Sequence, residues 1–339
     1  MKQEIINRNE VIQGPSPKVL ATLKKFNPEH ATRYVEGYYN SILIPKISKI
    51  FKIPEEQIII NYGEEDFLRT IFDHLNPKED SVLTHEYHYA YYKKYLTFKG
   101  TTLHAFKMIE TKNDFLFDIE DCITQVKKLN PKVVLLTSPN NPTGNSISVE
   151  ELEKVLKNTN KQTLIVIDQA YWGFDKEYNE EKFLFLLYNN PNLIFLRSFS
   201  KLFALAGLRI GFALCGIEVK KMLNYQNRYL GLSRILEEVA IAALESKKYY
   251  DNLSQEIIRD REYFVNELNN FKNFKVFNSK ANFVLIRVAD NILEIMTNNL
   301  SSQKILIAKF VNGNLLRVTV GSKRNTKNFL KLLEEVDRL

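Results

Sequence analysis

Cysteine is nearly missing from this chain of 339 residues: Cys122 and Cys215 stand far apart and form no Cys-x-x-Cys pair. That scarcity argues against a disulfide framework or a cysteine zinc site and favours a reducing compartment. Long apolar runs are missing too. No stretch reaches the roughly eighteen residues that a membrane helix needs, and the opening Met1–Glu10 is polar and charged, without a signal-peptide core. The expectation is a cytoplasmic protein with no membrane partner. Gly/Ser-rich or Pro-rich linkers, low-complexity tracts and internal periods are all absent, which argues against solenoids and propellers. Positive charge exceeds negative by only 7. The lysine pairs Lys24-Lys25, Lys93-Lys94, Lys127-Lys128 and Lys247-Lys248 are scattered beside aliphatic positions at helical spacing. Such scattering reads as solvated helix faces, so no nucleic-acid partner is expected.

What is present is an alternation. Short apolar, β-branched runs occupy Ile58–Asn61, Ser81–Thr84, Thr101–Phe106, Val133–Leu136, Leu164–Ile167, Leu193–Leu196 and Ile210–Cys215. Several are apolar almost throughout, as strands covered on both faces are. Helical patterns lie between them at Asp66–Leu75, Ala90–Lys99, Ile119–Lys128 and Glu150–Lys157, the last with Ser148 and Glu151 spaced as a capping box. The pattern predicts an α/β domain with a mainly parallel sheet. Beyond Gly216 the texture changes to helical patterns at Glu218–Glu245 and Tyr249–Phe271. Strand-like runs follow at Asn282–Val288, Ile305–Ala308 and Leu315–Val320, with a closing helix at Thr326–Leu339. This reads as a smaller α+β domain, and the length suits two domains sharing an interface.

Ligands of open α/β sheets sit beyond the carboxyl ends of the strands, so the polar residues that follow the apolar runs are the ones to inspect. Four places stand out. Ser138-Pro139-Asn140-Asn141-Pro142-Thr143-Gly144-Asn145 follows one run and is at the least a tight turn. Asp168 ends another run; a carboxylate at a buried strand tip either caps a helix or needs a cation such as a pyridinium nitrogen. In Ser198-Phe199-Ser200-Lys201 a lysine stands where a strand opens into the cleft. Desolvation there turns a lysine into an amine nucleophile, and the two hydroxyls with Arg209 suit a phosphate. In Tyr62-Gly63-Glu64-Glu65 a glycine at a helix start lets backbone N–H groups approach an anion. The two carboxylates are equally well explained as favourable charges in a first helical turn.

Taken in order, Gly63, Asn141, Asp168, Tyr171, Ser198, Lys201 and Arg209 resemble the aspartate-aminotransferase-like superfamily (fold type I) of pyridoxal-phosphate (PLP) enzymes. The segment Leu196–Phe212, with Gly14-Pro15-Ser16-Pro17 and Leu316-Arg317-Val318-Thr319-Val320-Gly321, is most similar to the histidinol-phosphate aminotransferase subfamily. The resemblance spans nearly the whole chain. It implies a large PLP-binding domain over 41–216 with a mainly parallel seven-stranded sheet, a small α+β domain over 217–339, and an N-terminal arm over 1–40 packing on the small domain and a dimer partner. By the same likeness Lys201 holds PLP as a Schiff base and moves the proton, and Asp168 keeps the pyridine nitrogen protonated. Asn141 and Tyr171 bond the ring's 3′ oxygen. Ser198, Ser200, Arg209 and the backbone at Gly63–Glu64 hold the phosphate. Tyr87 sits where the family stacks an aromatic on the ring, although the crowded Glu86–Tyr92 segment admits a shift of a residue or two, and a tyrosine stripe covering core explains it as well. Tyr34 matches the tyrosine that reaches the neighbouring subunit's cofactor, implying a homodimer, and Arg317 the arginine that grips the acidic end of the substrate.

Some positions depart from the family pattern. Asn9-Glu10-Val11-Ile12-Gln13-Gly14 replaces the usual N-terminal motif, His85 stands for a proline and Gln169 for a glutamate. Ala308 stands where a phosphate-binding arginine is frequent, with Arg287 and Lys309 as candidates for the missing charge. The resemblance therefore implies an aminotransferase exchanging an amino group between glutamate and 2-oxoglutarate and a small, phosphorylated partner, histidinol phosphate being the best named. The alternatives are a PLP-dependent decarboxylase of a phospho-amino acid and a PLP-binding regulatory module.

Overall fold

A computed structural model of the chain describes residues 7–35, 40–219, 230–302 and 308–338. Strands β1 (Ile58–Asn61), β2 (Ser81–His85) and β3 (Thr102–Phe106) are followed by a hairpin of β4 (Met108–Glu110) and β5 (Phe115–Phe117). Then come β6 (Val133–Thr137), β7 (Leu164–Asp168), β8 (Leu193–Ser198) and β9 (Gly211–Cys215). All but the hairpin join one seven-stranded sheet in the order β1-β9-β8-β7-β6-β2-β3. Strand β9 pairs antiparallel with both β1 and β8, and the other pairings are parallel. The residues of β6, β7, β8 and β9 are buried along their whole length, which is why these runs carry no polar alternation.

This topology places one row of side chains. Because every strand except β9 points the same way, Asn61, His85, Thr137, Asp168 and Ser198 end at one edge of the sheet. The register sets Thr137 beside Asp168, and Ser198 beside Gly211. The covering helices include α3 (Glu64–Asp73), α4 (Ala90–Lys99), α5 (Ile119–Leu129), α6 (Val149–Lys157) and α7 (Glu180–Asn189), with α1 (Pro17–Lys24) and α2 (Leu43–Phe51) before them. Helix α6 starts on a complete capping box: Ser148 Oγ accepts from Glu151 N, and Glu151 Oε2 accepts from Ser148 N.

The second sheet is antiparallel, ordered β10 (Phe274–Phe277), β11 (Phe283–Val288), β13 (Leu315–Thr319), β12 (Ala308–Asn312). It accompanies α8 (Arg234–Leu244), α9 (Lys247–Leu268), α10 (Leu293–Ser302) and α11 (Lys323–Asp337). Among the described residues no helix is long and apolar enough to cross a membrane. The helical pattern expected over Glu218–Glu245 contains α8, while residues 220–229 lie outside the described residues, as do 305–307 of the expected strand at Ile305–Ala308.

Candidate active site

A cleft of about 550 Å³ opens at the carboxyl edge of the large sheet. Asp168 ends β7 there, 5% exposed. Both of its oxygens are engaged: Tyr92 Oη donates to Oδ2 at 2.5 Å and the Ala170 N–H donates to Oδ1 at 3.1 Å. Lys201 follows β8 and also lines the cleft. Burial outweighs the nearby Glu10 and Glu64 and lowers its ammonium from 10.5 to about 8. Its Nζ donates to the carbonyl of Arg8 at 2.6 Å.

The turn after β6 is a folded device. Asn140 N donates to Asn145 O and Gly144 N to Asn140 O, with Gly144 at φ +78°. Asn141 thereby reaches the cleft, where its Oδ1 accepts from Arg317 Nη1 at 2.6 Å. A guanidinium has no acceptor, so the amide oxygen must face Arg317 and the NH₂ group is left as the donor toward the cleft. Tyr171 is oriented in the same fashion. Asn9 Nδ2 donates to Tyr171 Oη at 3.0 Å, which leaves the phenolic proton free to point elsewhere.

An anion-sized cup occupies one end. Gly63, at φ +79°, is the N-cap of α3, and a side chain there would bring Cβ within 2.7 Å of Arg209 Nη2. Arg209 Nη1 donates to Ser200 Oγ at 3.3 Å, and the Ser200 N–H donates to Ser198 Oγ at 3.0 Å. The first N–H groups of α3 have no intrahelical acceptor and suit an anion. Glu64, Glu65, Ser198, Ser200 and Arg209 all line the cleft.

Two expected residues stand elsewhere. Tyr87 is absent from the cleft wall: it takes φ +52° and packs its ring 5.2 Å from that of Phe115. The tyrosine at the cleft is Tyr89, the N-cap of α4. With its left-handed turn Tyr87 packs away from the cleft, and Tyr89 is the tyrosine of this cluster that lines it. Tyr34 is 82% exposed and lies away from its own chain's cleft. Arg317, 8% exposed, sits behind Asn141 and is capped by the carbonyl of Asn7, which accepts from Nη2 at 2.5 Å.

The two candidates for the charge missing at Ala308 also separate. Arg287 is held by Glu110 at 2.6 Å and by Asn314 at 2.8 Å. In the strand register Lys309 lies opposite Arg317, and Ala308 opposite Val318.

The segment Asn7–Glu10 crosses the cleft, a role that sequence reasoning left unassigned. Asn9 is fully buried at φ +59°, a conformation asparagine tolerates well. Besides holding Tyr171, it accepts from Thr319 Oγ1 at 2.9 Å and, through its carbonyl, from Asn282 Nδ2 at 3.0 Å. Gln169 has a local explanation. It accepts from Nε of the fully buried Arg197, whose charge is balanced by Glu180 at 2.7 Å, so a neutral amide suffices.

The sequence profile of aminotransferase class I and II matches residues 6–334. A histidinol-phosphate aminotransferase of Methanococcus aeolicus is 30% identical, over 98% of this chain and 89% of its own. One from Methanocaldococcus jannaschii is also 30% identical, over 98% and 88%. Among solved structures, the histidinol-phosphate aminotransferase of Sinorhizobium meliloti in complex with pyridoxal-5′-phosphate superimposes with a TM-score of 0.86 at 23% identity. The match covers 97% of this chain and 89% of that one.

Proposed function

The chain belongs to the class I and II aminotransferases, and from that premise we propose that it binds PLP in the cleft and moves an amino group between glutamate/2-oxoglutarate and a small phosphorylated partner. Histidinol phosphate with its keto counterpart is the named candidate, on the strength of the relatives. The observation that carries the cofactor reading is Lys201, an amine lowered to about 8 by burial, lining one cleft with the carboxylate of Asp168. The donor set fits PLP: an amine for its aldehyde, a carboxylate for its ring nitrogen, and a helix start with Gly63, Ser198, Ser200 and Arg209 for its phosphate.

PLP supplies the electron sink, and the protein supplies binding, orientation and proton movement. Lys201 Nζ, neutral in a substantial fraction near pH 8, accepts and returns a proton beside the reacting carbon. Asp168, fixed in place by the donors Tyr92 and Ala170, offers its carboxylate to a ring N–H. Asn141 Nδ2 and the Tyr171 hydroxyl serve as donors to the ring oxygen. Tyr89 would cover one ring face. Arg317 would take the substrate carboxylate in place of the Asn7 carbonyl that accepts from it, and Lys309, paired with Arg317 in the backbone register, is the candidate for the partner's phosphate.

The same reading includes a homodimer in which Tyr34, so exposed in one protomer, completes the partner's cofactor site. It also includes domains at 41–216 and 217–339 with an arm over 1–40, in a cytoplasmic protein. The test is product analysis with histidinol phosphate and 2-oxoglutarate. The reading expects stoichiometric glutamate and keto product; carbon dioxide release from a phospho-amino acid, without keto product, would replace it with the decarboxylase.

A further inference from the structure

Asp168 and Ser198 line the cleft, while their chain neighbours Gln169 and Arg197 are buried and stand outside its wall. The ladder runs one step past β7 here, with the Gln169 N–H donating to the Leu196 carbonyl at 2.8 Å. Arg197 has no exposed surface, and its guanidinium donates to three side chains. Nε reaches Gln169 Oε1 at 2.9 Å, and Nη1 and Nη2 grip the two Glu180 oxygens at 3.1 and 2.7 Å. Nη2 also donates to Tyr178 Oη at 2.8 Å, and Gln169 Nε2 closes the circuit on that same hydroxyl at 3.1 Å. The cation lies 4.4 Å from the ring centre of Trp172 and 4.9 Å from that of Phe51. One buried charge thus joins the ends of β7 and β8, the turn that follows Tyr171, and the start of α7.

Stability alone does not call for this arrangement. The attraction within a buried ion pair roughly offsets the desolvation of its members, and apolar residues of the same volume often do as well or better. The rest of this strand up to Arg197, Leu193–Leu196, is packed in that apolar way. What the ion pair adds is direction. A two-pronged contact between guanidinium and carboxylate fixes a plane, and here aromatic rings pack against that plane. The amide of Gln169 is oriented too, because its oxygen must face the donor Nε and its NH₂ group then faces Tyr178. Burial alone would lower the Arg197 guanidinium, yet Glu180 and Tyr178 raise it above its ordinary value, so the charge persists inside the fold.

We propose that Arg197 is a positioning residue, which through Gln169 and Trp172 sets how Asp168 and Tyr171 present their carboxylate and hydroxyl to the cofactor. It acts only through neighbours, and the paths are short. Gln169 adjoins Asp168, and Trp172 adjoins Tyr171. Ser198 adjoins Arg197 itself, and its Oγ accepts from the Ser200 N–H in the phosphate cup. A displaced guanidinium therefore disturbs the contacts to the ring nitrogen, the ring oxygen and the phosphate together.

The inference rests on the cofactor reading for its purpose but not for its first test. In the full-length cofactor-free protein, amide hydrogen exchange followed by mass spectrometry should quicken in Arg197→Met over residues 166–174 and stay as in wild type along β2. No change over 166–174, or faster exchange throughout the sheet, would overturn the proposal. PLP titration then reads the positioning role. Arg197→Met should weaken PLP binding by about tenfold or more and shift the pH midpoint of the bound cofactor's absorbance. Gln169→Met keeps the pair of Arg197 with Glu180 and cuts only its link to β7, so it should shift the midpoint in the same direction. Because both substitutions break one path, the double variant should shift it no further than Arg197→Met does. Additive shifts, or none in Arg197→Met, would overturn the positioning role. Should Arg197→Met fail to fold, Gln169→Met decides by the same two readouts, local exchange and midpoint. Failure of wild type to bind PLP would sink the cofactor reading instead, leaving the exchange result intact.

Discussion

At the scale of single residues, the cleft works by denying water to groups that want it. Lys201 loses solvation and its ammonium falls from 10.5 to about 8. In the unfolded chain it would retain its proton at that pH. Below about 8 both states are protonated, and the folded protein bears the full cost of a buried ammonium. Between about 8 and 10.5 the unfolded chain binds more protons, so stability from this site rises with pH. Lys201→Met should therefore stabilise the cofactor-free protein at pH 7 by about 1–3 kcal/mol, and the gain should shrink toward pH 10.5. Urea unfolding across that range checks it, and a pH-independent difference would contradict it. Asp168 operates by charge. Asp168→Asn should leave PLP bound while lowering turnover about a hundredfold or more, since a pre-organised charge at a desolvated site is worth several kcal/mol. Near-full turnover would show that another carboxylate meets the ring nitrogen.

At the scale of elements, legibility followed burial. Strands β6, β7 and β8 were readable because both faces are covered, and α4 was found at its observed bounds because Gly100, its left-handed C-cap, ends it. The hairpin β4–β5 was missed because its strands are only three residues long. Helix α7 hid behind Phe183–Leu187, an apolar run with no strand-versus-helix period, and α2 behind Pro45. Within the site, residues displayed at strand ends were legible: Asp168, Ser198 and Lys201. Those placed by tertiary approach were not. Nothing local to Asn9 announces a hydrogen bond to Tyr171, 162 positions away, and nothing near Glu86–Tyr92 reveals that Tyr87 turns out and Tyr89 in. In the backbone register of β12 on β13, Lys309 pairs with Arg317 and Ala308 with Val318. Arg317→Lys should damage both half-reactions, because the two-pronged contact is lost. Lys309→Ala should raise KM for the phosphorylated partner alone, and Arg287→Ala, with that arginine tied to Glu110, should leave both KM values unchanged. Steady-state kinetics of the three variants checks this, and an Arg287→Ala defect specific to the phosphorylated partner would reverse the assignment.

At the scale of the molecule, the two sheets meet through a segment that belongs to neither. Asn7–Glu10 places its carbonyls on Lys201 and Arg317, and Asn9 joins Tyr171 to Asn282 and Thr319. On the proposed reading of Arg317, a substrate carboxylate competes with the carbonyl of Asn7, and the strap is part of the binding equilibrium. The expected homodimer adds a second dependence. Tyr34→Phe should speed loss of PLP on dilution while leaving the fold intact, as followed by gel filtration and cofactor release. A fully active monomer would contradict the shared site. The account depends most on Lys201 as the anchor, and one measurement reaches it directly: reduce the PLP-bound protein with borohydride, digest it and map the pyridoxyl group by mass spectrometry. The account predicts the label on Lys201 alone. A label on any other lysine, or none after reduction, would contradict it.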